Sequence, residues 1–126
     1  MEETKMKMSK FGAGALFFAM LAVICVHAAD SAQTVKGYVL DSACAFTKGL
    51  SKPISKECAI SCANAGSQLV ILADDGTIYW PIAETTPSSG QNPKLLPYAG
   101  EKVTATGKIY QRGGSKAIVI DKIEKQ

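Results

Sequence analysis

Histidine is almost missing from this chain. The one imidazole, His27, falls in an N-terminal segment that has the marks of a removable leader, so the domain behind it has none. That removes the usual general base and the commonest metal ligand near neutral pH. No Gly-rich phosphate loop, nucleophile–base pair or two-carboxylate constellation appears either. Charge of one sign does not dominate: without Lys5, Lys7, Lys10, Glu2 and Glu3, the totals of 14 basic and 11 acidic residues become 11 and 9, a net +2. The two signs are interspersed, which argues against a nucleic-acid stripe. Lys52, Lys56, Lys94 and Arg112 read as solvated side chains on this balance. There is no internal repeat, and no apolar run reaches the roughly 20 residues of a membrane span.

The start of the chain is organised differently from the rest. Three lysines precede FGAGALFFAMLAVICV, residues 11–26, which carries no charge; small residues follow. A basic start, a short apolar stretch and a small-residue end are the three parts of a secretory signal peptide. Val26 and Ala28 suit the −3 and −1 positions, which places the cut after Ala28. A lipoprotein would use Cys25, but Ile24 stands where a small residue is needed. The expectation is a signal peptide over 1–28 and one domain over 29–126, located in the periplasm or secreted. Membrane contact is expected only through the leader before its removal.

The domain has 98 residues, which suits one small core that cross-links would help. VKGYVLD (35–41) reads as a strand with Gly37 at a bend or bulge. Residues 42–54 read as a loop. A helix of about ten residues follows, with Ser55 as N-cap, Glu57 in the first turn and Gly66 as the stop. Its Cys58, Ala59, Cys62 and Ala63 form a stripe of small residues that lets the helix lie close to a sheet. QLVILADDGTIYWPI (68–82) reads as a hairpin around Asp74-Asp75-Gly76, and Pro81 ends its second strand or lies on an edge. The aspartates there are turn chemistry and not a catalytic dyad. Residues 83–100 form a long connection with a helical turn near Lys94 to Tyr98, and loops of that length are often functional. The last two strands, near 102–111 and 116–123, meet at Gly113-Gly114; Val103, Ala105, Gly107 and Ile109 alternate with polar neighbours at the period of a half-buried strand.

Five strands and one clear helix predict a mainly β fold. A sheet this small exposes its edges unless it closes, and the OB-like five-stranded barrel is the economical closure. The usual OB order puts its helix between strands 3 and 4, whereas the clear helix here falls between strands 1 and 2.

GYVLDSAC, the cysteine pair in ECAISCANAGSQLVIL, DGTIYW and YAGEKVTATGKI together resemble a group of small exported bacterial OB-like domains. The likeness runs over about 36–124. It implies an exported barrel in which Cys44, Cys58 and Cys62 correspond to the family's cysteines and Asp41 to an acidic position near the first. Where members carry Gly after the first cysteine and a His in the following loop, this chain has Ala45 and no His. The resemblance carries no established activity.

Three chemistries are open to the thiols. Export favours oxidation, and three cysteines allow one disulfide with one left over. Cys58 and Cys62 are helix neighbours whose Cβ vectors run side by side, a poor geometry for bonding each other. A bond from Cys44 to Cys58 or Cys62 is the better staple. Alternatively, three thiolates with Asp41 as a fourth donor would suit Cu or Zn. The third reading is a thiol redox protein using Cys58, in the first helical turn with Lys56 nearby, or Cys62. Tyr79, Trp80 and Tyr98 are candidates for a ligand surface, since OB barrels bind rings on aromatics. The preferred reading is a non-enzymatic exported binding or structural domain without cofactor, engaging a small ligand or an envelope protein through residues 42–54 and 83–100.

Overall fold

The structure, a computed structural model, describes residues 31–126. The expected signal peptide and its cut lie outside them. Five strands form a closed barrel: β1 (Gln33–Asp41), β2 (Leu69–Ala73), β3 (Ile78–Pro81), β4 (Lys102–Arg112) and β5 (Ser115–Lys125). Their order around the barrel is β1-β2-β3-β5-β4, with every neighbouring pair antiparallel except β3 and β5. This is the OB-like arrangement expected from the strand count.

Closure depends on β1 serving two neighbours. Gln33–Tyr38 pair with β4 and Gly37–Asp41 pair with β2. The two sets overlap at Gly37 and Tyr38, and at Gly37 the backbones crowd so closely that a Cβ would run into Leu72 O and lie 2.7 Å from Ala73 Cα. Only a residue without a side chain fits there.

The strand periodicity places Val35, Val39, Leu69, Ile71, Ala73, Val103, Ala105, Ile118 and Ile120 inside the barrel. Every residue of β2 is buried, so its outer face must be covered as well. The cover is a helix, α1 (Ser42–Thr47), packed on β1 and β2, with its Ala45 buried. Residues 42–47 are therefore helical and not part of a loop. The signal was present: Asp41 is an N-cap residue, and its carboxylate accepts the Cys44 N–H at 3.2 Å. The Ser, Lys, Gly and Pro content of the stretch outweighed it.

The second helix, α2 (Lys56–Asn64), has the ends that the sequence predicts. Ser55 Oγ accepts the Cys58 N–H at 3.2 Å. At the other end Gly66 N–H donates to Ala63 O and Ser67 N–H to Cys62 O, each at 3.0 Å, which together make a Schellman stop. Ala59 is buried in the core and Ala63 packs against it, so the small-residue stripe does let the helix lie close.

The long connection holds a third helix, α3 (Asn92–Leu95), continued by a 3-10 turn, Leu96–Tyr98. This segment takes the place between strands 3 and 4 that the usual OB order reserves for a helix. It brings Leu95 and Ala99, both fully buried, to the core. Asn92 ties it to the start of β2: its Oδ1 accepts the Leu69 N–H at 2.8 Å and its Nδ2 donates to Ser67 O at 2.7 Å. Asn92→Ala leaves a backbone donor and acceptor without partners, each costing about 1–3 kcal/mol. The expected loss is about 2 kcal/mol by urea titration, and Asn92→Asp, which keeps only the acceptor, should recover part of it.

Candidate functional site

Asp41 interacts with two of the three cysteines, Cys44 and Cys62. It is 3 % exposed and the single buried charged side chain among the described residues. A buried carboxylate needs compensating donors. It receives the Cys44 N–H and the Ser67 hydroxyl, the latter at 3.3 Å, together with the Cys44 thiol. Burial alone would raise its pKa; these donors outweigh burial and hold it below the ordinary carboxylate value.

The thiols respond in the opposite direction. Cys44 donates its S–H to Asp41, and this bond, with desolvation and the carboxylate charge, pushes its pKa from 9.0 to about 11. Cys62 is also raised, first by desolvation, then by the Asp41 charge and a hydrogen bond with Cys58. Cys44 and Cys58 line one small cavity of about 110 Å³ that Asp41, Lys48 and Lys52 also border. The first thiol comes from α1 and the second from the first turn of α2, two helices joined by residues 48–55.

All three cysteines are free thiols here. Among the described residues, no group of three or more His, Cys, Asp or Glu is placed to hold a metal ion. The carboxylate serves as helix cap and hydrogen-bond acceptor for thiols.

The three aromatics expected on one ligand surface are divided between two faces. Tyr79 and Tyr98 pack against the core, and the Tyr98 hydroxyl donates to Ile123 O at 3.2 Å. Trp80, next to Tyr79 on β3, points to the opposite face of the sheet. There it meets Phe46 of α1, with ring centroids 6.0 Å apart. Phe46 is 66 % exposed and Tyr110 of β4 is 37 % exposed. Neither was singled out by the sequence, because cross-strand register brings Tyr110 near Trp80 and the packing of α1 brings Phe46 there. No described helix is long and apolar enough to cross a membrane. Compared with family models, curated proteins and solved structures, the chain gives no significant match.

Proposed function

We propose that this chain is a non-enzymatic binding domain of the cell exterior, an OB-like barrel whose first connection is stapled by a disulfide from Cys44 to Cys58. One observation carries the reading: thiols from two successive helices border the same small cavity. Cys58 is favoured over Cys62 because it shares that cavity. The raised Cys44 pKa supports a structural role over a redox one, since a nucleophilic cysteine needs its thiolate. The leader-like start supports an oxidising compartment.

The staple closes a loop of about 15 residues and would contribute roughly 3 kcal/mol in the chain-entropy model. In a domain whose whole stability is about 5–10 kcal/mol, that is a large share. With the first connection held, α1 presents Phe46 beside Trp80 as part of an outward binding face for a small ligand or an envelope partner.

Intact mass after export, with and without alkylation, tests the covalent part. The expected protein is two hydrogens lighter than the reduced chain and accepts one alkyl group, on Cys62. Three alkylated cysteines in exported, never-reduced protein would sink the staple.

A further inference from the structure

We propose that the outer face around Trp80 binds a short acidic oligosaccharide, one whose pyranose rings carry carboxylates. This rests on the binding-domain reading above and names its ligand class.

The register builds a slot there. Trp80 of β3 pairs with Ala117 of β5, and Ala117 pairs in turn with Tyr110 of β4. Directly paired residues project from the same face of a sheet, so the row reads large, small, large across three strands. Ala117 forms the floor, and the two aromatic side chains form walls two strand spacings apart, roughly 10 Å at the backbone. The cavity over this row measures about 320 Å³ and is bordered by Arg112, Ser115 and Lys116. On the other side of Trp80 a second cavity of about 400 Å³ extends past Phe46 and Thr77, and shares Trp80, Ser115 and Lys116 with the first. Trp80 thus stands between two adjoining compartments, each within the usual range for a small ligand.

The charges at the rim select the chemistry. Arg112 lines the first cavity and no carboxylate lines either, while Lys116, paired with Tyr79, holds its ammonium 5.7 Å from the centre of that ring. The two acidic residues nearby are engaged: Glu84 accepts from Lys108 at 2.9 Å and from the Tyr110 hydroxyl, and Asp75 accepts the Thr77 N–H at 2.9 Å while also lying within the field of Lys116. The guanidinium fork suits a carboxylate in two-point contact. A single-stranded nucleic acid would also stack on the aromatics, but it needs a cationic groove that follows every phosphate. One guanidinium beside two aromatic walls fits a chain with apolar ring faces and sparse negative charge.

Trp80 is the only tryptophan, so its fluorescence reports this face alone. The oxidised full-length mature protein would be titrated with trigalacturonate, its methyl ester, cellotriose and an oligothymidylate of matched length. Trigalacturonate is expected to give a saturable change in emission that weakens about tenfold in Arg112→Ala and about fivefold in Phe46→Ala, both at exposed positions, with unchanged circular dichroism. An equal response to the methyl ester or cellotriose, or a stronger one to oligothymidylate, overturns the acidic-saccharide assignment and leaves the binding-domain reading standing. No response from any of the four overturns the saccharide assignment, together with the small-ligand half of the binding-domain reading. The staple, read by mass beforehand, is decided independently.

Discussion

Replacing Gly100 with alanine is expected to lower stability by about 3–4 kcal/mol. Gly100 sits at φ +74°, a conformation that costs an L side chain about 1–2 kcal/mol. A Cβ there would run into Lys56 Cα and lie 2.9 Å from Lys56 N. These are backbone atoms at the first turn of α2, so relief requires moving the helix, and overpacking of that kind costs a further 1–3 kcal/mol or so. The position cannot shift freely, since Gly100 N–H donates to Val39 O at 2.7 Å and Glu101 accepts from Lys56 at 2.9 Å. For a domain of this size the melting temperature should fall by roughly 20 °C. Gly90→Ala is the control: nothing lies within 4 Å of its would-be Cβ, and a change within about 0.5 kcal/mol is expected. A Gly100→Ala protein as stable as the parent would show that α2 does not rest on this residue. Because α2 carries Cys58 and Cys62, the same substitution should also slow formation of the bond to Cys44.

Asp41→Asn in the reduced protein is expected to speed alkylation of Cys44 about tenfold at pH 8. The asparagine keeps an oxygen for the Cys44 N–H and the Ser67 hydroxyl but loses the charge that holds the thiol protonated. A Cys44 pKa returning from about 11 toward 9.0 multiplies the thiolate about a hundredfold at that pH, and the lower nucleophilicity of the less basic thiolate takes back about one order. Linkage gives a second readout. The folded state holds the Cys44 proton more tightly than the unfolded chain. The stabilisation is therefore complete below pH 9 and is lost as pH rises toward 11. Asp41→Asn should flatten that alkaline decline. Unchanged Cys44 reactivity, mapped by peptide mass, would mean that Asp41 does not govern the thiol.

Much of the barrel could be read directly from local patterns. The hairpin at Asp74-Asp75-Gly76, the turn at Gly113-Gly114 and both ends of α2 have residue types that act within a few positions of themselves. What escaped depends on distance along the chain. The parallel contact of β3 with β5 leaves no turn signature, because some thirty residues separate the partners. α1 escaped because Asp41 closes a strand, caps a helix and receives thiol hydrogen bonds at once, and sequence assigns a residue one role at a time. The same limit applies to the outer face around Trp80. Trp80 stood out as an aromatic, but Tyr110 and Phe46 become its neighbours only through register and through a helix that composition concealed. The cysteines were legible as a group, whereas the carboxylate's effect on their protonation required the fold.

The barrel wall is unevenly sewn. β4 and β5 run side by side from Val103 to Arg112, whereas β3 meets β5 through Tyr79, Trp80 and Pro81 alone. With β2 meeting it only at Ile71–Tyr79 and Leu72–Ile78, β3 is the most lightly sewn strand, and Trp80 stands on it. A guest resting across Trp80 and Tyr110 would lie over both lips like a suture, so occupancy outside would tighten the wall from which the guest hangs.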